Sequence, residues 1–137
     1  MNFDELKAFM KEAGWGFLAT SNGERASVRP MGGCDWFGKE FWCATGLKDA
    51  KTADIKKVPL VEYCFAAKDG RHVRLAGECT ISTDKADKQE LLDRMPSMKQ
   101  YVGDADNPDY VVLRLRPERA RYMSTEDMLR YEEVSLD

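Results

Sequence analysis

The chain has 137 residues, 43% hydrophobic and 33% charged, enough for a real core and too mixed for a disordered or membrane-spanning chain. Twenty-one Lys and Arg against 24 Asp and Glu leave a net charge of −3, which argues against a nucleic-acid partner, whose footprint is a basic excess. The start, Met1 to Glu5, has no signal-peptide pattern, so one cytoplasmic domain over 1–137 is expected, with no membrane partner.

Phe3, Leu6, Phe9 and Met10 recur at helical spacing behind a capping Asn2, and Gly14 is the stop, so a helix opens the chain. The period then changes to two. Trp15–Thr20 reads as a strand, Ser21-Asn22-Gly23-Glu24 as a hairpin turn, and Arg25–Met31 as the return strand. Gly32-Gly33 breaks it, Asp35–Lys39 reads as another turn, and Glu40–Thr45 is a third strand. A short helix over Leu47–Val58 stops at Pro59. Leu60–Ala67 and Arg71–Thr83 are strands, and the second puts Val73, Leu75, Gly77, Cys79 and Ile81 on one face. Asp84 caps a helix to about Met95, 101–109 reads as loop, and Tyr110–Arg116 is the last strand, with 119–124 a candidate extension. The pattern predicts a mainly β (α+β) fold: a six-stranded antiparallel barrel with short flanking helices, closure removing exposed edges.

The sequence has no P-loop, no Gly-x-Gly-x-x-Gly, no Gly-x-Ser-x-Gly and no His-Glu-x-x-His. Cys34, Cys43, Cys64 and Cys79 show no Cys-x-x-Cys spacing, and His72 is the only histidine. No metal site is expected, and the four cysteines read as free thiols packing as small hydrophobes. With no evident catalytic triad, a cofactor that brings its own chemistry is the natural expectation. Arg29 on its strand is one candidate anion ligand. A second grouping is Thr45 at a strand end, backbone N–H groups at the next helix start, and Lys51.

In order, Trp15-Gly16-Phe17-Leu18-Ala19-Thr20, Ser27-Val28-Arg29-Pro30-Met31, Phe41-Trp42-Cys43-Ala44-Thr45 with Lys51, and Arg71-His72-Val73-Arg74-Leu75-Ala76-Gly77 resemble the pyridoxamine 5′-phosphate oxidase-like flavoproteins. The likeness is greatest to their short, general-stress-protein-like branch. The resemblance implies a split β-barrel that binds FMN at a homodimer interface. It assigns Arg29, Thr45 and Lys51 to the cofactor tail, and Pro30, Met31 and Trp42 to the neighbourhood of the ring. His72 would reach the ring from the partner subunit, at the position where the true oxidases carry a glutamine. Two departures are visible. Ala50 stands where relatives have a basic residue, and the end Tyr131–Asp137 lacks the arginine-rich segment that recognises pyridoxal phosphate, so vitamin B6 oxidation does not carry over.

The first functional reading is therefore an FMN-dependent oxidoreductase working with a small-molecule redox partner. The alternative is a non-catalytic protein that binds or senses a flavin, deazaflavin or haem. A small barrel stacking single-stranded nucleic acid on Trp15, Trp36, Phe37, Phe41 and Trp42 is a third, disfavoured by the charge.

Overall fold

The computed structural model describes residues 1–137. Helix α1 (Phe3–Ala13) leads into strands β1 (Gly16–Ser21), β2 (Ala26–Met31), β3 (Cys34–Phe37) and β4 (Glu40–Gly46). Then come α2 (Ala50–Lys57), β5 (Leu60–Ala66), β6 (His72–Ser82) and α3 (Lys85–Arg94). A 3₁₀ turn at Pro96–Met98, α4 (Lys99–Val102), β7 (Tyr110–Met123) and β8 (Glu132–Val134) complete the chain. All strands pair antiparallel, in the order β2-β1-β5-β6-β7-β4-β3, with β8 against β7. The sheet curls into a split barrel. Its two edge strands, β2 and β3, follow each other in the chain through Gly32-Gly33 without pairing, and the split lies there.

The strand count is eight, not six. The short β3 was hidden because Cys34–Phe37 lies between glycines and pairs with β4 across the tight turn at Gly38. The three-residue β8 carries no periodic signal of its own. Strand β7 runs unbroken through Pro117, which needs a reason, since proline removes a ladder donor. The ladder between β6 and β7 slips between Ala76 and Gly77, and Gly77 faces Pro117 at that irregularity. A Cβ on Gly77 would stand 2.9 Å from the Arg116 carbonyl carbon and the Pro117 Cα, and closer still to the Arg116 oxygen.

Asn2 and Glu5 form a capping box at the start of α1. Phe3, Leu6, Phe9 and Met10 of this helix plug the main core, with Leu18, Phe41, Tyr63, Phe65, Val73 and Leu75 from the sheet. A smaller core holds Trp42, Ala44, Tyr110 and Val112 beneath Leu91 and Leu92 of α3. No helix is long and apolar enough to cross a membrane.

The free-thiol reading holds for two cysteines only. Cys64 and Cys79 are free, and burial raises both thiols, Cys79 to about 12. Cys34 and Cys43 instead form a disulfide. They stand directly opposite each other on β3 and β4, with Cα atoms 4.1 Å apart. Their pairing was not visible while Asp35–Lys39 read as a turn.

Candidate functional site

One polar cluster forms where α2 meets the end of β1. The alternation of β1 turns Leu18 and Thr20 inward, and that of β2 turns Arg29 toward them. Arg29 Nη1 donates to Thr20 Oγ1 at 2.8 Å and to the Leu18 carbonyl at 3.2 Å, while Nη2 lies 3.9 Å from Asp54 Oδ2. Thr20 Oγ1 donates to the same Asp54 oxygen at 2.8 Å. Asp49 caps α2 by accepting the Lys51 N–H, and Lys51 Nζ sits 3.0 Å from the other Asp49 oxygen. Burial pulls the Asp49 carboxyl upward, but the Lys51 backbone and ammonium hydrogen bonds, with the charges of Lys51 and Arg29, hold it below its ordinary value. Lys51 thus pairs with Asp49 and Arg29 with Asp54, two carboxylates of the same short helix and its cap.

Thr45 is buried at the end of β4, one residue before Gly46, whose carbonyl accepts from Thr52 Oγ1 at 2.8 Å. A strand end, a loop and the start of an eight-residue helix thus meet two cations. Donors of this kind suit a phosphate. Asp49 and Asp54 offset both charges, so an incoming dianion has to draw Arg29 and Lys51 away from them.

The other predicted ligands divide. Pro30 is exposed on the outer face opposite Phe17, whereas Met31 is buried in the main core, its carbonyl accepting from Tyr63 at 2.5 Å. Consecutive strand residues cannot line one ring from one face, so of Arg29, Pro30 and Met31 only Pro30 faces outward. Trp42 lies in the smaller core, stacked on Phe37 with ring centroids 4.3 Å apart, and its Nε1 donates to Glu40 at 2.9 Å. It stands on the opposite side of β4 from Cys43.

His72 lies at the far end of the sheet. Its Nδ1 is 2.9 Å from the Gly70 carbonyl and its Nε2 3.2 Å from the Tyr131 hydroxyl. The Tyr131 ring has the Arg74 and Arg121 guanidinium carbons 4.7 and 5.2 Å from its centroid. Glu62 pairs with both arginines, at 3.1 and 3.3 Å, although Arg74 Nε gains no hydrogen bond from that contact. Ala19 is level with Glu62 on β5, which places Thr20 level with Val61, and His72 is level with Ala66. Five residues of strand, roughly 17 Å at ~3.3 Å each, separate the two clusters within one chain.

Sequence reasoning missed Asp49, Asp54 and Thr20, the partners of the two cations, and Arg74, Arg121, Glu62 and Tyr131 around His72. The alternation of β5, β6 and β7 would have put Glu62, Arg74 and Arg121 on one face. Nothing in the sequence announced Tyr131.

The family model described as pyridoxamine 5′-phosphate oxidase matches residues 3–124. No curated protein matches significantly. Among solved structures, the chain is similar to a NimC/NimA family protein of Clostridium acetobutylicum, 24% identical with a TM-score of 0.83, covering 95% of this chain and 89% of that one. It is similar to a pyridoxamine 5′-phosphate oxidase-related, FMN binding protein of Nostoc punctiforme, 16% identical, TM-score 0.76, covering 91% and 85%. It is also similar to a protein named F420 reductase, 24% identical, TM-score 0.64, covering 83% and 94%. At these identities the structural likeness carries the fold.

Proposed function

We propose, for a chain that belongs to the pyridoxamine 5′-phosphate oxidase family, that it is an FMN-binding homodimer and a flavin-dependent oxidoreductase acting with a small-molecule redox partner. The observation that carries this reading is the pair of cations gathered on α2, Lys51 against Asp49 at its N-terminus and Arg29 against Asp54 in the next turn, where a phosphate would replace the carboxylates as counter-ion. Bound FMN would supply the electron transfer. Thr45 and the first N–H groups of α2 would hold its tail, and Pro30 and Phe17 would offer an apolar outer surface to its ring.

A single chain leaves that site incomplete, because its own His72 lies five strand residues away from the cation pair. A second copy, related by a two-fold axis, can bring its His72 to the ring end. The unpartnered outer face of β1, β2 and β5 supports such a dimer: Phe17, Val28, Pro30 and Leu60 are all exposed there.

A second reading keeps the pocket and changes the cofactor to a deazaflavin, on the likeness to the F420 reductase. Haem fits less well, since both His72 ring nitrogens are engaged. The deciding experiment is the visible spectrum of the purified protein, with the mass of the chromophore that heat releases. FMN is expected. A deazaflavin would install the second reading, and protein that neither carries nor takes up a flavin would overturn both.

A further inference from the structure

A cleft of about 740 Å³ opens between α1 and β3 and includes none of Arg29, Thr45, Lys51 and His72. Lys7 and Lys11, one helical turn apart on α1, line one side, with Arg94 from the end of α3. Cys34, Asp35 and Trp36 of β3 line the other. Asp35 is answered by Arg94 at 3.2 Å, and Lys7 has the exposed Asp4 at 3.5 Å, while Lys11 pairs with no carboxylate. The lining thus carries three cations against one carboxylate, in a protein whose net charge is −3.

The disulfide sits in this wall asymmetrically. Cys34 is partly exposed and lines the cleft, whereas Cys43 is 3% exposed and does not. The surroundings of Cys34 also suit its reduced form. The Gly32 carbonyl lies 3.3 Å and the Tyr63 hydroxyl oxygen 3.4 Å from its sulfur. Tyr63 already donates its own proton to the Met31 carbonyl, so both oxygens are acceptors. A disulfide sulfur has no proton for them, but a thiol does. A reduced Cys34 thiol therefore has an acceptor already in place.

We propose that this cleft is a thiol–disulfide exchange site for a small anionic thiol, with Cys34 the attacked sulfur and Cys43 the leaving one. Lys7, Lys11 and Arg94 draw the carboxylate of the thiol into the cleft, and its thiolate approaches the only accessible sulfur. A bond forms between the incoming sulfur and Cys34 Sγ. The Cys34–Cys43 bond breaks, its electron pair goes to Cys43 Sγ, and that sulfur takes up a proton. A second thiolate then attacks the mixed disulfide and leaves Cys34 as a thiol. The sum is two thiols oxidised to one small disulfide and one protein disulfide reduced to a dithiol. The couple joins β3 to β4, two residues before Thr45, so its redox state bears on the strand that leads into α2. The exchange itself does not depend on the flavin reading.

The test uses the whole protein. Oxidised and then denatured, it is expected to show two titratable thiols, Cys64 and Cys79, and four after reduction. Mercaptoacetate, an anionic thiol, is expected to reduce the native disulfide several-fold faster than cysteamine, a cationic one, at low salt, once each rate per thiolate is divided by the same thiol's rate on a small neutral disulfide to remove their difference in nucleophilicity. The Lys7→Ala/Lys11→Ala protein is expected to lose that preference. In Cys43→Ser, the mercaptoacetate disulfide should leave a mass adduct on Cys34, while Cys34→Ser should leave none on Cys43. Four free thiols after exposure to oxidant, or a reduction rate indifferent to the charge of the thiol, would overturn the proposal without recourse to any variant.

Discussion

Lys51 is the residue on which the proposed phosphate site turns. Its ammonium is answered by Asp49 at 3.0 Å and its side chain is only 12% exposed, so it is already aimed where α2 begins. A charge-assisted hydrogen bond contributes about 1.5–3 kcal/mol, and each 1.4 kcal/mol is roughly tenfold in affinity. Lys51→Ala should therefore weaken FMN binding about 10- to 100-fold and leave riboflavin, which lacks the phosphate, nearly unchanged. Titrating stripped protein with both flavins checks this, and an equal loss for riboflavin would remove Lys51 from the phosphate site. Glu40 illustrates a residue that is purely structural. Burial pulls its carboxyl upward, but hydrogen bonds from Arg114 and Trp42 and the nearby arginine charges hold it below its ordinary 4.5. A carboxyl lowered in the folded state adds stability that is full above its unfolded value and is lost as pH falls through the folded one. Glu40→Gln should cost about 1 kcal/mol near neutral pH, since the site is partly wetted. Urea titrations at several pH values should show the difference closing below 4.5. A gap that persisted in acid would assign the effect to shape rather than charge.

At the scale of elements, the long β7 depends on a single glycine in its neighbour. Pro117 lies between the β4 and β8 pairings of its strand, with β6 alone beside it, and Gly77 leaves room there for the Arg116–Pro117 backbone. Gly77→Ala forces backbone, not a flexible side-chain tip, to move. It should cost about 3 kcal/mol or more, the upper part of the overpacking range. Gly38→Ala is the contrast: its Cβ would meet open space, and only the φ of +62° is unfavourable, for about 1 kcal/mol. Chemical denaturation of both variants tests the ranking, and equal costs would mean that the ladder re-registers around the bulge. Helix α1 was legible in advance, because Asn2, Glu5 and the Phe3-Leu6-Phe9-Met10 stripe specify cap and buried face locally. Strand β3 was not, because four half-buried residues pairing only with β4 leave too little alternation to read.

For the whole molecule, the outer face of the sheet is where the proposed dimer would form. Val28 is 68% exposed and Leu60 60%, with Phe17 and Pro30 beside them, a surface that a monomer would leave in water. Light scattering is expected to give a dimer at micromolar concentration. Val28→Lys should yield a folded monomer that also loses FMN, since the ring then lacks its second wall. A dimer unaffected by Val28→Lys would move the interface elsewhere, and a wild-type monomer that holds FMN tightly would remove the partner from the site.

The amino-acid sequence determined the antiparallel strands, the helix that plugs the barrel and the family, because period, caps and motif order are local properties that survive unfolding. It also singled out Arg29 and Lys51, on spacing and resemblance, as the expected tail ligands. Only the tertiary structure decided that Asp49, Asp54 and Thr20 answer those cations, that Pro30 and Met31 face opposite ways, and that Tyr131 covers His72. It alone put Cys34 against Cys43. Each of these depends on strand register or on a chain reversal across the sheet. A register shift of one residue turns every side chain to the other face, and no short window of sequence records which register the packed barrel selects.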